Sequence, residues 1–232
     1  MKILSLDSSA TVASVALLED GRILAEYTLN NGNTHSETLL PMVETILRDY
    51  GSTVDEIDLF AATTGPGSFT GIRIGAATVK GLAFSTGKPC AEVSTLEAIA
   101  ENLACREGLI CPVMNARRSQ VYTALFRAEK GILTRLMPDS ALSIEELDEE
   151  LAKYAEPVSF AGDGYSITVD ALKKTEFVPT PERLRHQSAA SVAAVAYRMA
   201  HKGEVVSDRD LKVTYLRPSQ AERTRLEQEA KK

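Results

Sequence analysis

Thr64-Gly65-Pro66-Gly67-Ser68-Phe69-Thr70-Gly71-Ile72-Arg73-Ile74-Gly75 is the stretch on which the reading of this chain turns. The apolar run Leu59-Phe60-Ala61-Ala62 leads into it and reads as a buried strand. Three glycines and a proline then break the strand, and an alanine-rich apolar segment after Gly71 predicts a helix to about Phe84. The unit is strand, glycine-rich loop, helix. Such a loop brings bare backbone N–H groups to a helix N-terminus, where the macrodipole favours an anion. It serves equally as a tight turn that lets the chain reverse. Gly65, Gly67 and Gly71 are spaced one residue too long for the dinucleotide fingerprint, and no Gly-Lys-Ser/Thr follows as a P-loop requires. Ser68 lacks the flanking glycines of a nucleophile elbow. In the helix, Gly71 and Gly75 share one face with Ala76, Thr78 and Val79 near them. A glycine inside a helix costs about 1 kcal/mol relative to alanine. Two on one face imply close approach by another backbone, either a core neighbour or a partner subunit's helix.

Bulk properties narrow the class. The 232 residues suit two small domains, and 44% hydrophobic with 25% charged residues is ordinary for a globular protein. A net charge of −6 argues against free, high-affinity nucleic-acid binding, although a partner could hold the nucleic acid. No run of about 18 apolar residues is present, so no membrane span is predicted. The start, Met1-Lys2 followed by a short strand and Asp7, does not read as a signal peptide. Cys90, Cys105 and Cys111 form no CxxC pair and read as reduced thiols in a cytoplasmic protein.

Taken in order, the chain predicts strands at residues 2–6, 11–18 and 22–30, with Glu19-Asp20-Gly21 as a hairpin turn. Thr34-x-x-Glu37 resembles a capping box, but Pro41 conflicts with a helix starting there; the helix starts nearer Thr38 or is kinked. After the glycine unit come a short strand at 90–93 and a helix capped by Ser94 through about Ala104. The order βββαβαβα then begins again. Strands are predicted at 109–114, 119–126 and 132–137, a helix capped by Ser143 to about Tyr154, and a strand at 158–161. Gly162-Asp163-Gly164 follows as a second glycine loop, then a short helix at 165–173, strand-like Phe177-Val178, and a helix at 189–200 capped by Ser188. Asp7…Val12-Ala13-Ser14-Val15-Ala16-Leu17 aligns with Asn115…Gln120-Val121-Tyr122-Thr123-Ala124-Leu125, and the two glycine loops fall at corresponding places. The expectation is a duplicated α/β fold whose two lobes face a cleft. The lobes are assigned to residues 1–106 and 107–218, and a charged tail to 219–232.

A duplicated βββαβαβα order is that of the actin-like ATPase superfamily, with the sugar kinases and heat-shock ATPases. Ile3-Leu4-Ser5-Leu6-Asp7-Ser8-Ser9, the glycine loop through Gly75, Lys80-Gly81-Leu82-Ala83, Val93-Ser94-Thr95-Leu96 and Ala116-Arg117-Arg118-x-x-Val121-Tyr122 resemble the TsaB (YeaZ) family. The resemblance covers the whole chain in matching order. It implies a non-catalytic subunit of the bacterial machinery that makes N6-threonylcarbamoyladenosine at position 37 of tRNAs reading ANN codons. It also implies two partners, TsaD, the catalytic paralogue, and TsaE, a P-loop ATPase. The family commonly has aspartate where this chain has Asn115, which weakens any case for metal or phosphate chemistry there.

What the resemblance implies about sites follows residue by residue. TsaD carries an HxxxH metal motif whose equivalents here are Thr95 and Ile99, which cannot ligate a metal. His35, His186 and His201 are far apart in sequence, and no Cys/His metal spacing exists. The expectation is therefore no catalytic residue, no metal and no cofactor of its own, with ATP and metal bound by the partner subunits. The first two helices would form the face for TsaD, through Leu39, Leu40, Val43 and Leu47 on one and Gly71, Ile72, Gly75, Ala76 and Val79 on the other. Some of these must face the sheet instead. Without TsaD the same face would give a homodimer. The loop set near any nucleotide comprises Asp7, Gly65, Gly67, Ser68, Phe69, Thr70, Arg73, Arg117 and Arg118, and the three arginines are also candidates for tRNA contacts made mainly within the complex. Asp7 either orients a cation or is a hydrogen-bonded strand end. The competing readings are a nucleotide-dependent enzyme of the kinase type, a peptidase pairing Ser68 with His35, and a homodimeric interaction protein outside tRNA modification.

Overall fold

Ile3 and Leu4 are neighbours on the first strand and are both fully buried, because that strand is covered on both faces. In the computed structural model, which describes residues 1–217, the first lobe holds β1 (Lys2–Asp7), β2 (Ala13–Glu19), β3 (Arg22–Leu29), β4 (Leu59–Gly65) and β5 (Cys90–Ser94). These strands form one sheet in the order β3-β2-β1-β4-β5. β1 runs antiparallel to β2 and parallel to β4, and β4 parallel to β5. The second lobe repeats the plan with β6 (Gly108–Asn115), β7 (Gln120–Glu129), β8 (Ile132–Ser143), β9 (Val158–Ala161) and β10 (Phe177–Val178), ordered β8-β7-β6-β9-β10. Both sheets thus place the first strand of their repeat in the centre. The duplicated βββαβαβα order read from the sequence is the observed one.

Two-residue periodicity divides each sheet between two cores. On the first sheet Leu4, Leu6, Val15, Leu17, Phe60 and Ala62 meet α1 (His35–Tyr50) and α2 (Phe69–Thr86). From α1 come Leu39, Met42, Val43, Ile46 and Leu47; from α2, Ala76, Val79 and Ala83. The alternate residues, Ile3, Leu18, Leu59, Ala61, Ala91 and Val93, meet Ala98 of α3 (Thr95–Glu101) and Val192, Ala193, Val195 and Ala196 of α6 (Ala189–His201). The second sheet packs α4 (Ile144–Leu151) and Tyr165 of α5 (Tyr165–Val169) on one face. Its other face receives Leu96, Ile99, Ala100 and Leu103, so α3 lies between the two sheets.

The last helix departs from its place in the sequence. Although α6 follows β10, its first turn is stitched to the first lobe: Ser5 Oγ donates to the Ala189 carbonyl (2.7 Å) and Ala189 N–H to Ser14 Oγ (3.0 Å). Glu26 accepts from Ser188 Oγ and Ala190 N–H. The chain after α6 stays with that lobe, Val206 and Cys90 exchanging two backbone hydrogen bonds. Residues 188–215, read from sequence with the second unit, therefore pack on the first lobe, and Arg217 reaches back to the second.

Several local expectations are corrected. Helix α1 starts at His35 and continues through Pro41, and Thr34 occupies its N-cap without a side-chain capping bond. Helix α2 starts at Phe69, before Gly71, because Ser68 Oγ accepts the Gly71 N–H as N-cap. α3 ends at Glu101 and α5 at Val169, both shorter than their apolar patterns, whereas β8 runs on to Ser143. At Ser143 the predicted capping box is complete, with the Glu146 carboxylate accepting the Ser143 N–H. All three cysteines are free; burial pushes the Cys90 and Cys111 thiols up to about 11 and about 12. The tail at 219–232 lies outside the described residues.

Candidate functional site

The glycine loop joins β4 to α2 and is held against the end of β1. Ser68 N–H donates to the Ser9 carbonyl (2.7 Å), and Ser8 Oγ donates to the Gly71 carbonyl (2.9 Å). A Cβ on Gly71 would stand 2.0 Å from the Ser8 carbonyl oxygen, one on Gly67 2.5 Å from that of Ser9, and one on Gly75 2.6 Å from Ser8 Oγ. The approaching backbone inferred from the glycine stripe is therefore this chain's own Asp7-Ser8-Ser9 turn, not a partner helix. Gly71, Ile72, Gly75, Ala76 and Val79 are buried, as are Leu39, Val43 and Leu47 of α1. Eight of the nine residues assigned to a partner face thus pack inside the lobe, and Leu40 alone of that set is exposed. The physical reason is that α1 and α2 both turn their most apolar stripe toward the sheet.

What the two helices present outward is a different set. Phe84 is 71% exposed, the largest exposure of any described large apolar side chain, and Leu40 is 47% exposed. Gly81 stands on the same outer side of α2 as Phe84 and Ala77, with nothing within 4 Å of where its Cβ would be. The sequence signal for this face was available in Lys80-Gly81-Leu82-Ala83, where a glycine interrupts a helix without any internal contact that requires it.

Between the lobes lies a cavity of about 550 Å³. The first lobe contributes Ser9, Thr11 and the loop from Pro66 to Thr70; the second contributes Asn115, Arg117, Tyr122 and Asp163; residues 214–217 form a further wall. The loop set read from sequence is partly gathered here. Gly67, Ser68, Phe69, Thr70 and Arg117 line the cavity, while Gly65 and Arg73 flank it and Arg118 lines a second cavity beside α4 and α5. Asp7 lies beneath the lining. Its Oδ1 accepts from Ser9 N–H (2.8 Å) and Ser9 Oγ (2.7 Å), its Oδ2 is buried without a partner, and burial pushes the carboxyl up to about 6. Its repeat mate Asn115 makes the same turn, Oδ1 accepting the Arg117 N–H at 2.8 Å. Asp163, which sequence reading passed over as a loop residue, accepts the Asn115 N–H and is raised by burial.

Chemically the cleft offers hydroxyls, the Asn115 amide, the Asp163 carboxyl, the exposed Arg117 guanidinium and the half-buried Arg217 at a helix N-terminus. Ser68 and His35 do not pair: Ser68 Oγ caps α2, and His35 Nε2 donates to the Ala10 carbonyl (2.6 Å). Thr95 and Ile99, expected from the resemblance to stand where a metal motif falls in the paralogue, are both buried. Among the described residues no three His, Cys, Asp or Glu side chains converge as ligands of one ion. Arg73 is engaged, its guanidinium 3.8 Å from the Phe69 ring centroid and its Nε donating to Tyr215 Oη (2.6 Å). Arg117 and Arg118 are exposed on a turn in which Arg117, Arg118 and Ser119 all have left-handed φ, of 64°, 54° and 54°. Nothing in the order of residues signals that Tyr215 and Arg217 return to this cleft from the far end of the chain. Among the described residues no helix is long and apolar enough to cross a membrane.

Comparison with known proteins agrees with this architecture. The family model described as TsaD, tRNA N6-adenosine threonylcarbamoyltransferase, matches residues 22–225. The tRNA threonylcarbamoyladenosine biosynthesis protein TsaB of Bacillus subtilis is 36% identical over 167 residues, 72% of this chain and 73% of its own length. The Escherichia coli protein of the same name is 30% identical over 220 residues, 94% of this chain and 95% of its own. A solved Pseudomonas aeruginosa structure described as similar to peptidase YeaZ superposes with a TM-score of 0.82 at 27% identity, covering 93% of this chain and 99% of that one. A second, described as YeaZ from the same organism, gives 0.79 at 28% identity over the same shares of the two chains. With the duplicated sheets, the closed glycine loop and these relatives together, the chain belongs to the TsaB (YeaZ) family, within the larger group of TsaD-type domains.

Proposed function

We propose that this chain is a subunit of the tRNA threonylcarbamoyladenosine machinery that acts by binding and activating the catalytic paralogue TsaD, together with TsaE, and carries no active site of its own. The observation that supports this most directly is the outer face of α1 and α2. Phe84 and Leu40 are exposed there, and a Cβ added at Gly81 would meet nothing within 4 Å. An uncompensated helical glycine costs about 1 kcal/mol, which a partner's close approach would offset. In this reading ATP and any metal are held by the partner subunits, tRNA is reached mainly through the assembled complex, and the compartment is the cytoplasm. In the absence of TsaD the same face pairs with a second copy, giving an isologous homodimer. The occupation of Thr95 and Ile99 by core packing supports placing the chemistry elsewhere.

The test is calorimetric titration of TsaD with this chain and with Gly81→Arg and Phe84→Asp. Both positions are exposed, so both variants fold. The expected result is binding by the natural chain and a loss of about a hundredfold or more in each variant, the scale of a central interface residue. Undiminished binding by both variants would remove this face from the interface. Tight binding of ATP by the chain alone would favour a nucleotide-dependent enzyme instead.

A further inference from the structure

The two lobes are joined on one side by a pinned hinge. The chain crosses between them after α3 and again before α6, and Asn102 stitches the crossings together. Asn102 Nδ2 donates to the carbonyls of Leu184 (3.3 Å) and His186 (2.7 Å), and its Oδ1 accepts from Ser191 Oγ (2.6 Å). Two-lobed proteins with such a hinge change the aperture of their cleft by rotation about it. What this structure adds is a strap along the lining of the cleft, where residues 214–217 face both lobes.

The strap is residues 211–217. Its root is fixed in the first lobe: Leu211 is buried in the core that α1 and α2 share with the first sheet, and Lys212 N–H donates to Glu92. Thr214 N–H then donates to the Thr64 carbonyl (2.8 Å), and the Thr214 carbonyl oxygen lies 2.2 Å from where a Cβ on Gly65 would be. This contact separates Gly65 from its repeat mate Gly162, which is instead crowded by Val113 of its own lobe. Both glycines have a positive φ, 128° at Gly65 and 113° at Gly162, so the loop conformation itself calls for glycine; at Gly65 the strap adds a second contact that leaves no room for a side chain. Tyr215 stacks on Phe69 with ring centroids 4.8 Å apart, and Arg73 lies against both rings. The tip reaches the second lobe, where Arg217 Nη1 donates to the Ala116 carbonyl (3.3 Å). Among the described residues this is the one hydrogen bond that joins the lobes through the lining of the cleft. It lands beside the turn with three successive left-handed residues, Arg117 to Ser119, a conformation that costs of order 1 kcal/mol per residue and persists only where its surroundings impose it.

We propose that residues 211–217 are a latch, rooted on the glycine loop of the first lobe and closing on the strained 115–119 turn of the second, that fixes the aperture of the cleft. Opening the cleft requires the Arg217 tip to leave Ala116, and the Phe69–Arg73–Tyr215 stack holds the tip in place.

Amide hydrogen exchange of the full chain, natural and with Tyr215→Ala or Arg217→Ala, tests this. Both side chains are on the surface of the cleft and neither belongs to a core. Tyr215→Ala removes a stacked cation–ring contact and one hydrogen bond, together about a tenfold change in the opening equilibrium. The latch predicts about tenfold faster exchange at 214–217, at 66–73 and, in the other lobe, at 116–120, with β1 and β2 unchanged. Arg217→Ala predicts faster exchange at 116–120 alone. If Tyr215→Ala quickens only its own segment, or Arg217→Ala leaves 116–120 unaltered, the strap is local packing and the latch is refuted.

Discussion

Two glycines on the same helix should respond to alanine in opposite directions. At Gly71 the added Cβ would stand 2.0 Å from the backbone oxygen of Ser8 and 3.2 Å from Ser68 Cβ. Neither neighbour is a flexible side-chain end, so the first turn of α2 must move away by more than an ångström. That movement strains the Ser8 Oγ hydrogen bond to the Gly71 carbonyl and the Ser68 cap on the Gly71 N–H. Overpacking of this kind costs about 1–3 kcal/mol, loss of an N-cap about 1, and a buried hydrogen bond about 1. Alanine's better helix propensity returns about 1 kcal/mol. The net is a destabilisation of roughly 2–4 kcal/mol. Gly81 is helical, exposed and touches nothing within 4 Å, so only the propensity applies and Gly81→Ala should stabilise by up to about 1 kcal/mol. Urea unfolding followed by circular dichroism would resolve both, since midpoints shift without a change in slope when stability alone changes. Equal stability of the two variants would refute the account of the glycine stripe as a contact within the chain, and would return it to the surface as a partner face.

Asp7→Asn keeps the turn, since Asn115 makes the same turn in the second repeat. It should change the pH dependence of stability. The folded carboxyl is raised from 3.8 to about 6, so stability tied to its proton is complete below about pH 3.8 and is lost as pH rises through about 6. Relative to Asp7→Asn, the natural chain should therefore lose roughly 2–3 kcal/mol between those limits, measured as the difference between two urea midpoint curves; parallel curves would contradict it. Asp148 has the reverse sign. Burial raises its carboxyl, but the Lys173, Lys174 and Thr175 N–H groups together hold it below the ordinary range, so its contribution is present above about pH 3.8 and fades as acid protonates it. Asp148→Ala should cost roughly 2–4 kcal/mol at neutral pH by leaving those donors without their acceptor; a midpoint unchanged from the natural chain would show that water replaces the carboxylate there. Asn102→Ala should cost about 2–3 kcal/mol, with faster amide exchange concentrated at 184–188, where its three hydrogen bonds hold the two crossings together; uniform change across the chain would deny it that local role.

The strand order was legible because each repeat writes it twice. Asp7 and Asn115, and Gly65 and Gly162, fall at matching offsets, and the buried strands alternate between two cores with period two. Periodicity shows that a helix has an apolar stripe but not which surface meets it. That is why periodicity could not say which of Leu39, Val43, Leu47, Ile72, Ala76 and Val79, offered for a partner face on the resemblance, face the sheet; all six are buried in the lobe. For the same reason α6 gave no sign that it crosses to the first sheet, where Ser5, Ser14 and Glu26 receive its N-terminus. The cleft was partly legible: Ser68, Phe69 and Thr70 were placed by their loop. Tyr215 and Arg217 instead lie 142 and 101 residues along the chain from the groups they meet, beyond the reach of any local signal.

Modification of unmodified tRNA by TsaD and TsaE, with threonylcarbamoyl-AMP and ATP, tests the central claim most directly when surface and cleft variants of this chain are compared. Gly81→Arg and Phe84→Asp alter the outer face of α2, whereas Thr70→Ala and Asn115→Ala alter the lining of the cleft. The account predicts that activity requires the chain, disappears with either surface variant and survives both cleft variants. Activity lost with the cleft variants and kept by the surface variants would place the function in the cleft and contradict it.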